Sequence, residues 1–154
     1  MEYNSRLKAE QGDIFNLDEN KFDSAIAFVA GGFTGLNTDF RENFEKLKNS
    51  RIAYIIYSDK INSPIARFYK SRGELFESEE EIFNYIDNEV KDALDNALTI
   101  GNRIAISGIW IRGFDQVKNE KWMMKSLNSW LDGNSNAEIT LIDRDDNLKK
   151  HGIL

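Results

Sequence analysis

Cysteine is absent from this 154-residue chain, histidine and proline occur once each, and no apolar run approaches the roughly 18 residues that a membrane-spanning helix needs. Each absence excludes something. Without cysteine there are no disulfides and no thiolate metal sites, and a lone His151 in the tail "KKHGIL" argues against zinc clusters and Ser-His-Asp chemistry. No metal and no cofactor is therefore expected. Basic residues are outnumbered 20 to 26, giving a formal net charge of −6 and an isoelectric point near 4.9. A general nucleic-acid binder needs a basic face for the phosphates, so no nucleic-acid partner is expected. The start "MEYNSRLKAEQ" lacks the basic-then-apolar layout of a signal peptide, so the expectation is a cytoplasmic protein with no membrane partner.

What is present is ordinary for a folded domain: 41% hydrophobic and 30% charged residues. No repeat, low-complexity segment or Pro/Gly/Ser-rich linker divides the chain, which predicts a single domain over residues 1–154.

Hydrophobic pattern then orders the elements. "RLKAEQGDI" reads as an edge strand ending in a corner at Gly12 and Asp13, and "DSAIAFVA" as a strand covered on both faces. It breaks into "GGFTGLNTDF", where Gly31, Gly32 and Gly35 precede a helix that Asn37 or Thr38 caps and that runs to about Asn49. "RIAYIIYS" reads as a second buried strand. Ser78 and Glu81 form a capping box for a helix with Ile82, Ile86, Val90, Ala93, Leu94 and Ala97 on one face and Gly101 as its stop. "RIAISGIW" is a third buried strand, and "IRGF" its loop. Asp115 caps a last helix with Met123, Leu127, Trp130 and Leu131 on one face, and "AEITLID" is the final strand.

Strands alternating with helices predict an α/β sheet with helices on both faces, a fold class that binds ligands beyond the carboxyl ends of its strands, where glycine loops enter helices. Residues 31–38 and 108–115 are two such places. Glycine there admits close approach of main chain to a ligand.

The order of "QGDI" at 11–14, "DSAIAFVAGGFTGLNTDF" at 23–40, "ALTIGNRIAISGIWIRGF" at 97–114 and "AEITLIDRDDN" at 137–147 resembles a macrodomain, the ADP-ribose-binding module. The resemblance implies a three-layer α/β/α domain with a central mixed sheet. It implies that Asp13 bonds an adenine amino group with the Ile14 amide nearby, and that Gly31, Gly32, Gly35, Asn37 and Asp39 follow the phosphates and distal ribose. It further implies that Gly108, Ile109, Trp110, Gly113 and Phe114 cover the diphosphate; Arg112 would add a charge-assisted contact. Family members that hydrolyse ADP-ribose conjugates carry Asn-Ala-Ala-Asn where this chain has Phe28-Val29-Ala30-Gly31. The expected function is thus binding of ADP-ribose or a related adenine-nucleotide derivative, ranked above removal of ADP-ribose or processing of a phosphorylated derivative.

Plainer readings stand beside these. Asp13 equally suits a turn closed by its own carboxylate, Trp110 and Phe114 equally suit core positions, and Trp122, Met123, Met124 and Trp130 on one helix suit packing better than a cofactor box. For catalysis the candidates are Asp13, Asn37, Asp39 and Asp115, none paired with a histidine base. The alternative function is an acidic protein-binding or inhibitory module, whose partner would be a basic protein.

Overall fold

The computed structural model describes residues 3–30, 47–59, 79–107 and 116–154. Its elements are β1 (Leu7–Gln11), β2 (Ser24–Ala30), β3 (Ala53–Asp59), α1 (Glu79–Leu98), β4 (Arg103–Ser107), α2 (Gln116–Asp132), β5 (Glu138–Asp143) and α3 (Asn147–Lys150); residues 47–49 are also helical. The five strands form one sheet in the order β1-β5-β4-β2-β3. All four neighbouring pairs are parallel.

The expected mixed sheet is therefore corrected, among the described strands, to a parallel one. Every connection is long enough to return the chain from the carboxyl to the amino edge, the shortest being residues 12–23. Two further expectations change. "RIAYIIYS" gives β3, an outer strand of the described sheet with Ala53, Tyr54 and Ile55 only half-buried, because apolar content alone does not say where in a sheet a strand lies. Ser78 and Asp115, the expected helix caps, lie outside the described residues, although α1 and α2 begin one residue after each.

Right-handed crossovers decide which face each connection covers. The chain moves one way across the sheet from β1 to β2 to β3, and the opposite way from β3 to β4 to β5. Accordingly α1 and α2 pack on one face, where Val90, Ala93, Leu94 and Ala97 of α1 and Met123, Met124, Leu127, Trp130 and Leu131 of α2 meet Leu7, Ile26, Ile104, Ile106, Ile139 and Leu141. The other face holds Ile14, Phe15 and Phe22 from residues 12–23, with Leu47 and Tyr54, against Ala25, Ala27, Ala105 and Ile142. Strand alternation thus places mostly branched residues under the helices and mostly alanines under the phenylalanine rings. Between the helices, Trp130 Nε1 donates to Asp95 Oδ1 at 2.8 Å, Ser126 bonds Asp87, and Lys91 pairs with Asp87 at 3.1 Å.

The amino edge is tied by one residue. The Asp23 main-chain N–H donates to the Arg103 carbonyl at 2.9 Å, and the Asp23 carbonyl accepts the Ala53 N–H at 3.2 Å. Its carboxylate accepts the Arg103 main-chain N–H, Nε and Nη2 at 3.0, 3.2 and 2.7 Å. Those bonds from Arg103 hold the Asp23 carboxyl below its usual range, against the opposing effect of burial. Gly101 leaves the room: a Cβ there would lie 2.4 Å from Asp23 Cβ and 2.6 Å from Oδ2. At the same edge Arg6 donates to the carbonyls of Leu131 at 3.0 Å and Asn134 at 2.8 Å and to that of Ala137, holding the carboxyl end of α2 beside the start of β1.

Gly101→Ala is expected to destabilise the fold by about 1–3 kcal/mol in urea unfolding, through forced displacement of Asp23. A carboxyl with a depressed folded pKa stabilises fully above its unfolded value, about 3.9, and that contribution is lost as pH falls through the folded value. The urea midpoint of the wild type should therefore fall as pH drops below about 4, and Asp23→Asn should flatten that decline. Ser24, fully buried, has no partner for its Oγ among the described residues; Ser24→Ala should leave the urea midpoint unchanged or raise it.

Candidate functional site at the carboxyl edge

With every described strand parallel, all five carboxyl ends lie along one edge. The chain leaves β2 toward β3 and leaves β4 toward β5, in opposite lateral directions, so the neighbouring strands β2 and β4 flank the point where the strand order reverses. That is where open α/β sheets bind ligands. The β2–β4 pairing runs only from Ser24 and Ile104 to Ile26 and Ile106, whereas β2–β3 continues to Ala30 and Asp59. Gly31 follows directly on β2 and Gly108 on β4. Two segments separated by more than 70 residues of sequence thus start from adjacent strands, about 4.8 Å apart. Of the expected site residues, Gly31, Gly32, Gly35, Asn37, Asp39, Gly108, Ile109, Trp110, Arg112, Gly113 and Phe114 lie outside the described residues.

Asp13 and Ile14 are described. β1 is separated from β4 by β5, so Asp13 leaves the same edge about 10 Å from the β4 end. Asp13 Oδ1 accepts the Phe15 main-chain N–H at 3.0 Å, and the Asp13 carbonyl accepts that of Asn16 at 2.9 Å. This is the local turn anticipated for a Gly-Asp corner. The same oxygen meets Arg144 Nη2 at 3.4 Å, with both side chains substantially exposed. The Gly12 N–H donates to the Asp143 carbonyl at 3.1 Å, fastening the corner to the end of β5. Ile14 places its side chain in the core, leaving only its main chain for a ligand.

Two features escaped the reading by pattern, the first near the amino end of β3 and the second at the carboxyl edge. Tyr54 on β3 lies beneath residues 12–23, and its hydroxyl is pushed up to about 12 by burial first, then by the negative charges of Asp13 and Glu19, while a bond from the Leu17 main chain opposes the rise. It remains a neutral hydrogen-bond donor. The second is His151, whose Nδ1 lies 2.9 Å from Glu120 Oε2, with the Glu120 side chain only 11% exposed. α2 runs antiparallel to the strands, and Glu120 lies twelve residues before its end at Asp132, about 18 Å along the axis. That distance matches a strand of five or six residues and brings Glu120 level with the carboxyl edge. His151 arrives there because α3 follows β5 within a few residues, and Leu148 and Ile153 pack into the helix-side core. Only the 31-residue gap between the partners hid the pair from sequence, since nothing local marks Glu120 as its mate.

Among the described residues no group of three or more His, Asp or Glu is arranged to hold a metal ion, and no helix is long and apolar enough to cross a membrane. No family model, no curated protein and no solved structure matches the chain.

A group whose folded pKa is raised stabilises fully below its unfolded value, about 10 for tyrosine, and loses that contribution as pH rises through the folded value. In a tyrosinate absorbance titration, one of the five tyrosines should ionise only near pH 12. Tyr54→Phe should remove that late step and lessen the loss of stability above pH ~10; a late step that persists in this variant would belong to another tyrosine.

Proposed function

We propose that this chain binds ADP-ribose or a related adenine-nucleotide derivative at the carboxyl edge of the sheet. The observation that carries the reading is the placement of β2 and β4 as parallel neighbours, each running straight into a glycine-bearing segment where the strand order reverses. Main-chain amides of such segments hold phosphates without a basic field, which suits a chain of net charge −6. In this reading Asp13 faces the adenine with the Ile14 amide, and Gly31, Gly32 and Gly35 approach the phosphates with Asn37 and Asp39 near the distal ribose. Gly108, Ile109, Trp110, Gly113 and Phe114 close over the diphosphate with help from Arg112. The fold implied is a three-layer macro-like domain, and binding is favoured over hydrolysis.

A second reading has its own observation. α1 carries seven acidic residues against a single lysine, a net of −6, equal to the formal charge of the whole chain. A helix of that charge suits a basic protein partner, and such a complex would weaken steeply with salt.

Calorimetric titration with ADP-ribose, beside NAD, AMP and ATP, tests the first reading. The expected result is micromolar or tighter binding of ADP-ribose, weakened at least tenfold by Gly32→Glu and by Gly113→Glu, with the urea transition of each variant kept. No heat with any of the four compounds overturns it.

A further inference from the structure

Among the described strands β1 pairs with β5 alone, so its other edge is open. Parallel pairing engages alternate residues of a strand. The Ile139 N–H donates to the Arg6 carbonyl at 3.0 Å and the Gly12 N–H to the Asp143 carbonyl at 3.1 Å, which assigns the even-numbered positions of β1 to β5. The main-chain groups of Leu7, Ala9 and Gln11 therefore point away from the sheet; of these the Leu7 N–H is taken by the Asn4 carbonyl at 3.0 Å. Leu7 and Ala9 pack their side chains into the helix-side core, so Lys8 and Glu10 share the other face, where Glu10 Oε1 meets Lys21 Nζ at 2.8 Å in a solvent-exposed pair. Lys8 is exposed, with no ion-pair partner among the described residues.

A lysine on an edge strand ordinarily wards off other strands. Here the opposite charge stands two residues along the same edge, and it decides what that edge fits. In antiparallel pairing with a second copy of the chain the outward groups of both strands face each other, and the registers that pair most of β1 have their two-fold axis at Lys8, Ala9 or Glu10. The first sets Lys8 against Lys8, and the last Glu10 against Glu10. Only the middle register sets Lys8 against Glu10 of the second copy on both sides of the axis, at the closely spaced positions where Cα atoms lie about 4.5 Å apart and opposite charges stabilise. It also matches the whole of β1, Leu7–Gln11, with its copy.

We propose that the chain forms a two-fold dimer by antiparallel pairing of β1 with β1 of a second copy, centred on Ala9, so that the two five-stranded sheets run on as one. Each Ala9 donates its N–H to the carbonyl of the other, and the Gln11 N–H of each copy meets the Leu7 carbonyl of the other. Lys8 of each copy pairs with Glu10 of the other across the axis. The acidic helix stands clear of the approach: α1 packs on β2, β4 and α2, and it is α2 that reaches β1. The dimer does not rest on nucleotide binding, and the failure of one leaves the other standing.

Sedimentation equilibrium of the full chain, carried up to millimolar concentration, should show a monomer–dimer equilibrium. Ala9→Pro removes the N–H at the axis while leaving the β1–β5 bonds their donors, and should weaken the dimer by about tenfold or more with the urea transition kept. Lys8→Glu sets carboxylates against carboxylates and Glu10→Lys sets amines against amines, so each should weaken self-association about tenfold. An equimolar mixture of those two variants should associate about tenfold more tightly than either alone, because every facing pair is again opposite in charge. Both side chains reach solvent, so these two variants carry the test even where Ala9→Pro fails to fold. A wild type that stays monomeric throughout overturns the proposal, as does a dimer unchanged in a folded Ala9→Pro, or a mixture that associates no better than its parts.

Discussion

Three of the five described strands begin at one residue. Asp23 joins the amino ends of β2, β3 and β4 through its own main chain and through Arg103, and the bonds close only because Gly101 offers no side chain to the space that the carboxylate fills. With these ends in register, the pairings that follow have their branched and small residues on the proper faces, since a slip of one residue would exchange them. Burial of both faces then locks the choice. The junction itself is small beside the apolar area it aligns, which is where most of the stability resides.

From that alignment the chemistry of the opposite edge follows. Parallel strands started together end together, so Gly12–Asp13, the exits of β2 and β4, and the turn from β5 into α3 share one rim. The lateral direction of each crossover decides what covers each face: α2 with Glu120 on one, and residues 12–23 on the other. Opposite faces of the sheet therefore carry different chemistry, a protonated phenol under residues 12–23 near the amino end of β3 and, toward the carboxyl edge, an imidazole held by a carboxylate.

Charge is divided as unevenly. The net −6 of α1 equals that of the whole molecule, so the remaining residues sum to zero. A neutral remainder with glycine segments at strand ends suits an anion held by main-chain dipoles, whereas the acidic helix suits a basic surface. The two proposed partners would thus address different parts of one small protein.

Local pattern was enough to locate the five strands, the face of α2 that carries Met123, Leu127, Trp130 and Leu131, and the stop of α1 before Gly101, because alternation, helical spacing and small residues act over a few positions. The resemblance to a macrodomain led to the same glycine segments that periodicity had marked, and the turn at Asp13 was legible from Gly-Asp alone. The edge place of β1 was read correctly, whereas that β3 lies at the other border and that the described strands all run parallel depended on the crossovers, which no short window contains. Even Gly101 was read for the wrong cause: its backbone is not left-handed, and it is small because Asp23, 78 residues earlier, lies against it. Likewise His151 looked like tail composition until the close of the chain brought it to Glu120. Sequence alone determined the elements and the likeness of their order; only tertiary structure decided which distant side chains meet, because contact across a sheet is set by topology and not by neighbouring residues.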